Sequence, residues 1–160
     1  MKLTNGARPV VPRRATAADA AAIRELSRAA YAGWAPVIGR EPRPMTADYD
    51  RAVIEHSIDL LEEQGTLMAL IETVTEADHL LIENIAVRPD QQGRGLGDLL
   101  LRHAEQLALA QGFSETRLYT NAAFASNLAF YAKRGYEEYR RTAIAPGGVA
   151  VFMRKILKGR

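Results

Sequence analysis

The sequence predicts an α/β (α+β) fold in which a mixed, mostly antiparallel central sheet is flanked by about four helices. Three strand-like segments at 56–62, 66–74 and 80–87, separated by short turns, are typical of an antiparallel meander. A helix that begins after residue 95 then leads to a further strand, and such a strand–helix–strand crossover pairs its strands in parallel. At 160 residues the chain has the usual size of one domain, so we expect residues 1–160 to form a single domain.

The N-terminal part predicts a short strand and two helices. Residues 10–14 read as an edge-type strand, because the proline within them has no N–H to offer a central ladder. Thr16 is the expected cap of a helix over 17–32, which carries apolar residues at helical spacing. A second helix is expected over 46–55, with Thr46 as its cap.

The segment 33–45 between these helices is expected to be a long irregular connection. It holds three prolines and two glycines, yet it also carries Trp34, Val37 and Ile38. Long connections with such apolar content are often functional lids, so we expect this one to cover a binding site.

The C-terminal half predicts two more helices, a strand and a hairpin. The strongest helix in the sequence begins at Leu96 and ends at Gly112, since its apolar residues recur at i, i+3, i+4 and i+8. A strand is expected at 116–120 and a helix over 126–134. Strands at 136–143 and 149–156 form the expected terminal hairpin.

Composition excludes several classes of protein and site. Hydrophobic residues make up 48% and charged residues 25% of the chain, which is typical of a folded globular protein. The absence of cysteine excludes disulfides, a thiol nucleophile and thiolate metal sites. We find neither an apolar run long enough to cross a bilayer nor a secretory segment, so we expect a cytoplasmic location and no membrane partner.

Charge is distributed unevenly along the chain. The formal net charge of +2 is too small to indicate a nucleic-acid partner, and none is expected. Residues 1–80 nevertheless carry a net charge of −3 and residues 81–160 a net charge of +5. This asymmetry indicates either that an anionic ligand binds to the second half or only that the helices of the two halves carry different surface charges.

The most informative segment joins the third meander strand to the strong helix. It reads Gln92-Gly93-Arg94-Gly95-Leu96-Gly97 and favours an anion site, because free helical amides and side-chain-free residues let a diphosphate approach the backbone. The spacing matches neither a Walker A loop, which needs a Lys after its glycines, nor a G-x-G-x-x-G fingerprint. The alternative is that the glycines only form a tight turn and a helix cap.

These residues resemble the GNAT family of N-acetyltransferases. The family's acetyl-CoA signature is Q/R-x-x-G-x-G/A, which residues 92–97 fit at every fixed position. The strand 85–89 before the signature also resembles the family. So do Asn127 through Tyr131 with Gly135-Tyr136, which look like its downstream N-x-x-x-Y-x-x-x-G-F/Y element. Many members carry a further Asn seven residues before this Tyr, and at that position this chain has Phe124.

The resemblance implies a single GNAT-like acetyltransferase domain that moves an acetyl group directly from acetyl-CoA, as co-substrate, to an amine. Main-chain amides of residues 93–98 are expected to bind the diphosphate, and Arg88, Arg94 and Lys133 or Arg134 its remaining phosphate. In the family the pantetheine arm pairs with the strand edge at 85–87. The expected cofactor-binding residues are therefore Ile85, Val87, Arg88, Gln92, Gly93, Arg94, Gly95, Leu96, Gly97, Asp98 and Asn127.

Two residues are candidates for proton transfer. The resemblance implies that Tyr131 protonates the departing CoA thiolate, although a tyrosine there could instead be a core residue with a backbone partner. Glu83 is the candidate general base, because we expect it two residues before Ile85 on the same strand face, beside the acyl group. The alternative for Glu83 is an exposed residue on a two-sided strand.

The acceptor site is less clearly encoded. Tyr31 and Trp34 lie in the region that covers the acceptor in the family, and their aromatic character with nearby mixed charge suggests a compact polar amine. Trp34 could instead fill the core. No metal is predicted, since His56, His79 and His103 show no ligand spacing.

The leading interpretation is acetyl transfer to the primary amine of a small molecule. Two alternatives remain, a protein or peptide N-acetyltransferase and a non-catalytic CoA-binding module. The edge strands and the terminal hairpin leave room for a homodimer.

Overall fold

The computed structural model describes residues 3–5, 8–144 and 147–158. Six α-helices lie within these ranges: α1 (Ala20–Tyr31), α2 (Ala35–Ile38), α3 (Arg43–Thr46), α4 (Tyr49–Glu55), α5 (Leu96–Ala110) and α6 (Ala125–Lys133). The strands are β1 (Leu3–Asn5), β2 (Arg8–Val10), β3 (Arg13–Arg14), β4 (Ser57–Glu63), β5 (Thr66–Thr75), β6 (Leu80–Val87), β7 (Glu115–Asn121), β8 (Glu137–Ala143) and β9 (Val149–Ile156).

A seven-stranded mixed sheet organises the molecule, in the order β3-β4-β5-β6-β7-β9-β8. Only β6 and β7 pair in parallel, and the remaining neighbours are antiparallel. The meander and the crossover through α5 are therefore confirmed, and with them the predicted fold class. The predicted terminal hairpin is present as β8 and β9, while Ala145 and Pro146 of its turn lie outside the described residues.

The N-terminal predictions need correction in four places, two of them in the segments 10–14 and 33–45. Residues 10–14 do not form one strand: Val10 ends β2, which pairs with β1, whereas Arg13 and Arg14 pair with β4 after the interruption at Pro12. The segment 33–45 is not fully irregular, because Pro36 and Pro44 stand in the first turns of α2 and α3, where no amide donor is needed, and Pro42 directly precedes α3.

The helix predicted over 46–55 starts later than expected, at Tyr49. Its cap is Asp48 rather than Thr46, since the Asp48 carboxylate accepts a hydrogen bond from the Arg51 amide at 3.2 Å. The earlier helix is preceded by a single turn over 17–19, so its α-helical part begins at Ala20.

Each face of the sheet buries its own apolar core. On one face α5 packs Leu99, Leu100 and Ala104 against Ile71 and Ile82. On the other face, α1 and α4 cover the sheet. That second core contains Ile23, Leu26, Tyr49, Leu60 and Leu70, all at most 1% exposed. The two layers hold the sheet rigidly from both sides, which fixes the strand ends that carry the polar residues.

Two irregularities in β6 shape the region beyond it. Glu72 pairs with Asn84 but Thr73 pairs with Ile82, so Glu83 is an extra residue in β6, a β-bulge. Pairing with β7 is limited to residues 80–82, opposite 116–118. Beyond that point β6 and β7 separate, and the β7-facing edge of residues 83–87 has no strand partner in the described sheet.

None of the helices in the described ranges is long and apolar enough to cross a membrane.

Candidate active site

A cavity of about 760 Å³ lies at the end of β6, between the start of α5 and the helix α6. We call it cavity A. Nine of the eleven predicted cofactor residues line it: Ile85, Val87, Gln92, Gly93, Gly95, Leu96, Gly97, Asp98 and Asn127. Tyr131, Tyr31 and Trp34 line it as well. Most of the residues predicted for the site are therefore brought together at one place.

The turn at 92–95 presents main-chain donors to cavity A. The first internal bond of α5 runs from the Leu99 amide to the Gly95 carbonyl oxygen at 3.0 Å. The amides of residues 92–98 make no hydrogen bond within the described part of the chain. Gly93 and Gly95 hold the turn open with φ of 85° and 80°, a backbone conformation that favours glycine. Free amides at the positive end of a helix dipole form an anion-binding cradle.

Gly97 has a different role from the two glycines of the turn. A Cβ at this position would lie 3.3 Å from the Cζ atom of Phe130, in the facing helix α6. The absence of a side chain thus lets the first turn of α5 approach the ring that forms one wall of cavity A.

Arg134 is the cationic residue that lines cavity A. Its Nε donates to the Asp98 carboxylate at 2.8 Å, and its guanidinium lies 3.8 Å from the centroid of the Phe130 ring. The ion pair and the cation–π contact fix the guanidinium at the rim, next to the amide cradle.

The other two predicted phosphate ligands do not reach the cavity. The Arg88 guanidinium donates twice to the Leu67 carbonyl oxygen, at 3.0 and 2.9 Å. The Arg94 guanidinium pairs with the Glu63 carboxylate, at 2.8 and 3.1 Å, and also contacts Gln91. Both side chains point toward the β4–β5 hairpin. Their acceptors there are distant in sequence, so the residues around Arg88 and Arg94 could not predict them.

Tyr131 and Asn127 face cavity A from one side of α6, as their i, i+4 spacing requires. The Tyr131 ring packs edge-on against Phe130 and Tyr136. Its hydroxyl makes no hydrogen bond to another described residue, so it remains available to a ligand. Burial raises the pKa of Tyr131 above its ordinary value of 10.0, which keeps the hydroxyl protonated at neutral pH.

Tyr31 connects cavity A with a second cavity. Its hydroxyl lies 2.8 Å from the Asn84 side-chain oxygen and 3.0 Å from the Ile85 carbonyl oxygen. The Asn84 side-chain nitrogen is buried without a hydrogen-bond partner among the described residues. A polar junction therefore lies at the bulge of β6, where the two cavities meet.

The second cavity, which we call cavity B, has a volume of about 610 Å³ and lies between the sheet and the helices α3 and α4. Its wall combines carboxylates from both strands and helices with three arginines, Arg40, Arg43 and Arg51. Tyr119 of β7 and Phe124 close the side nearest α6. Cavity B thus offers a polar pocket on the opposite side of the junction from the amide cradle.

Glu83 lies in cavity B rather than beside Ile85. The expectation that both share a strand face is wrong, because the bulge at Glu83 shifts the alternation of side chains along β6. The Glu83 carboxylate accepts a hydrogen bond from the Tyr119 hydroxyl at 2.8 Å and lies 4.0 Å from the Arg43 guanidinium. Its side chain is 17% exposed, so it is neither fully exposed nor sealed in the core.

A partly buried pair on the wall of cavity B, Glu72 with His56, was not predicted from the sequence. Glu72 of β5 accepts a hydrogen bond from the His56 Nδ1 at 2.5 Å. Burial raises the pKa of Glu72, and the His56 contact opposes that shift. The only signal in the sequence is the polar Glu72 inside an otherwise apolar strand. The pairing with His56 depends on the β4–β5 register, so spacing could not reveal it.

An aromatic contact closes the cleft on the α6 side. Trp34, in the turn after α1, stacks on Phe124 at the start of α6. Trp34 is therefore neither a simple core residue nor a fully exposed one. Phe124 stands where the GNAT family often carries Asn, and here it is 5% exposed.

Comparisons with known proteins agree with this geometry. Residues 20–136 match the model of the acetyltransferase (GNAT) family. Over 78 residues, 49% of this chain, the sequence is 33% identical to the [Ribosomal protein bS18]-alanine N-acetyltransferase of Escherichia coli (strain K12). The matched region spans about half of that relative, 53% of its length.

Two solved structures are similar in fold. The PaiA N-acetyltransferase of Thermoplasma acidophilum, in complex with coenzyme A, superposes with a TM-score of 0.77 at 18% identity, covering 92% of this chain and 98% of its own. The ribosomal-protein-S18-alanine N-acetyltransferase of Escherichia coli superposes with a TM-score of 0.70 at 21% identity, covering 94% and 96%.

Proposed function

The chain belongs to the acetyltransferase (GNAT) family, and we propose that it transfers an acetyl group from acetyl-CoA directly to the primary amine of a small molecule. The observation that carries the proposal is the meeting of cavities A and B at the β6 bulge, beside Tyr31 and Asn84. Cavity A offers the donors that a nucleotide diphosphate needs, and cavity B offers a polar pocket for an amine. Direct transfer requires two such sites with a common boundary.

In this proposal the amides of residues 92–98 hold the diphosphate of acetyl-CoA, with the Arg134 guanidinium beside it. The unpaired edge of β6 at 83–87 binds the pantetheine amides as a neighbouring strand would. Asn127 contributes a side-chain hydrogen bond from α6. Acetyl-CoA supplies the acyl group in activated form, as a thioester.

Proton transfer is divided between two residues. Glu83 takes the proton that the amine loses as its nitrogen forms a bond to the acetyl carbon. Tyr131 donates its proton to the thiolate that leaves as the carbon–sulfur bond breaks. The bulge favours this division, because Glu83 lines the amine side of the junction and Tyr131 lines the coenzyme side. A placed general acid contributes roughly 10²–10⁴ in rate.

A protein or peptide acceptor is the second candidate, favoured by the relative named as acting on ribosomal protein bS18. A peptide would need an open groove across cavity B. In this chain α3 and Pro42 line that cavity, and Arg28 fixes this segment by donating to the Met45 carbonyl oxygen at 2.8 Å and to Glu41 at 2.7 Å. A wall held in place beside the pocket favours the small acceptor.

A thermal-shift screen followed by a thiol-release assay tests the proposal. Acetyl-CoA and CoA are expected to raise the melting temperature, since a ligand that binds the native state stabilises it. Free thiol is then expected to appear with small amines and not with peptides that begin with alanine. Stabilisation by NADPH alone would contradict the acetyl-CoA site. Tight CoA binding without turnover of any amine or peptide would instead identify a non-catalytic module.

A further inference from the structure

Four carboxylates and three arginines line cavity B, and Arg40 is the arginine among them whose side chain has no partner among the described residues. We propose that the acceptor is an amine that also carries a carboxylate, an amino acid in the broad sense, and that Arg40 binds this carboxylate. The inference rests on the proposed acetyl transfer, because it assigns the substrate class of the same site. The pairing of the three arginines and of the two strand carboxylates in cavity B supports it.

The inner end of cavity B is acidic. The side chains of Glu72 and Glu83 are 6% and 17% exposed, and both strands that carry them face the junction with cavity A. Glu72 already pairs with the His56 Nδ1 at 2.5 Å, so Glu83 is the carboxylate with which an incoming ammonium group would pair. An ammonium group is attracted to this end, which is also where its nitrogen must lie to reach an acetyl group. The acidic end therefore fixes which end of the acceptor enters first.

The outer end of cavity B carries both signs of charge, because Asp48 and Glu55 line the cavity with Arg43 and Arg51. The side chains of Arg43 and Arg51 are 76% and 72% exposed, so they lie at the entrance. Arg51 is neutralised by Glu55 at 2.7 Å. Arg43 donates to the Tyr119 hydroxyl at 3.1 Å and lies 4.0 Å from Glu83. These two arginines already have partners.

Arg40 differs from both. Its main chain is fixed after the left-handed Gly39 (φ 75°), with its amide donating to the Ala35 carbonyl oxygen at 3.1 Å. Its side chain is half-buried in the wall of cavity B and makes no hydrogen bond or ion pair with another described residue. A guanidinium has five donors in a planar fork that matches a carboxylate or a phosphate, and the four carboxylates lining cavity B favour the singly charged carboxylate over a phosphate.

The two ends together define the acceptor. An ammonium at Glu83 and a carboxylate at Arg40 require one molecule that carries both charges, held along the length of cavity B. A plain alkylamine would satisfy the inner end and leave Arg40 without a partner. A carboxylic acid without an amine would have no nucleophile.

Matched substrates test this assignment. We would assay ω-amino acids with two to five methylene groups beside the corresponding ω-amino amides, which keep the amine and remove the negative charge. The acids are expected to have kcat/KM at least tenfold above the amides, with a maximum at one chain length. Calorimetric titration of the best acid into the CoA-bound protein gives a second readout that does not depend on turnover.

Variants locate the carboxylate. Arg40→Gln is expected to remove the preference for the acid in both kcat/KM and calorimetric affinity, and to leave the amide unchanged. Arg40→Lys is expected to restore part of it. Arg24→Gln is the matched control, because Arg24 pairs with Asp50 at 3.0 Å outside cavity B. This control is expected to behave like the wild type.

Failure of the inference is distinguishable from failure of the proposed function. Turnover of amides and acids at equal rates, or an acid preference that survives Arg40→Gln, overturns the inference while acetyl transfer stands. A preference for aminoalkyl phosphates over the acids also overturns it. If no small amine is acetylated although CoA binds, the proposed function fails, and the calorimetric comparison of wild type with Arg40→Gln still decides whether Arg40 binds a carboxylate.

Discussion

The rings of Trp34 and Phe124 stack with their centroids 4.4 Å apart and their planes inclined by 27°. The contact joins the turn after α1 to the start of α6, two elements that are separated by 90 residues in sequence. Trp34 lines cavity A and Phe124 lines cavity B, so the stacked pair lies at the boundary between the two cavities. It ties the helical cover of cavity B to the helix that carries Tyr131.

A double-mutant cycle measures this link. Trp34→Ala and Phe124→Ala are each expected to lower the free energy of unfolding, and the cycle is expected to give a coupling energy of about 0.5–1.5 kcal/mol, the usual value for an aromatic pair. Urea unfolding of the wild type, both single variants and the double variant provides the data. Strictly additive effects would mean that the two rings do not interact in solution.

Tyr131→Phe removes a hydroxyl without changing the packing of the ring. If Tyr131 is the general acid, kcat is expected to fall by roughly 10²–10⁴ while the affinity for CoA stays within about twofold. Steady-state thiol release and calorimetric CoA titration measure the two quantities. Tyr139→Phe on β8 is the control, since Tyr139 lies outside both cavities and is 37% exposed. If Tyr131→Phe turned over substrate at the wild-type rate, Tyr131 would be a packing residue and not the general acid.

A pair of glycines separates the effect of the amide cradle on CoA binding from the effect of backbone strain on stability. Gly93 and Gly112 have nearly equal φ, 85° and 86°, and open space where a Cβ would stand. Substitution by Ala is expected to cost both variants a similar free energy of unfolding, roughly 1–2 kcal/mol. Only Gly93→Ala is also expected to weaken CoA binding, by tenfold or more, because only Gly93 lines cavity A. Equal CoA affinity in the two variants would argue against the cradle.

Asp19 links stability to pH at the start of α1. Hydrogen bonds from Arg13, at 2.9 and 3.0 Å, together with one from the Thr16 amide at 2.8 Å, lower the pKa of Asp19 from 3.8 to about 2. Its stabilising effect is therefore complete above the unfolded value of 3.8 and is lost as the pH falls toward 2.

Asp19→Asn removes the charge that pairs with Arg13 and is thus expected to lower the free energy of unfolding at pH 7 by at most about 1 kcal/mol, the upper end for an exposed ion pair. The difference from the wild type should shrink once the pH falls below 3.8. Urea midpoints measured from pH 7 to pH 2.5 follow this change. A deficit that stays constant over the whole range would assign the effect to the side-chain shape and not to the charge.

The sequence predicted best those parts of the site that depend on neighbouring residues. The cradle at 92–98 arises from glycines followed directly by a helix, and both features are local. The i, i+4 spacing of Asn127 and Tyr131 likewise needs only α6. The fold class followed from periodicity and from the crossover, which are also features of consecutive residues.

What the sequence did not predict depends on contacts between distant segments. The bulge at Glu83 reflects the register of β6 against β5, so the alternation of polar and apolar residues within β6 alone pointed to the wrong face. Arg88 and Arg94 were predicted as phosphate ligands, but in the structure they donate to the Leu67 carbonyl oxygen and the Glu63 carboxylate of the neighbouring hairpin. No pattern within residues 85–97 contains that information.

The short pairing between β6 and β7 determines how the two parts of the sheet are held together. Only three residue pairs join β3-β4-β5-β6 to β7-β9-β8 within the sheet, and α5 is the covalent strap between them. Residues of both parts, among them Ile82 and Leu118, nevertheless pack into one apolar core with α5, which holds the two parts together. A ligand that pairs with the open edge of β6 would therefore lengthen the strand ladder beyond residue 82.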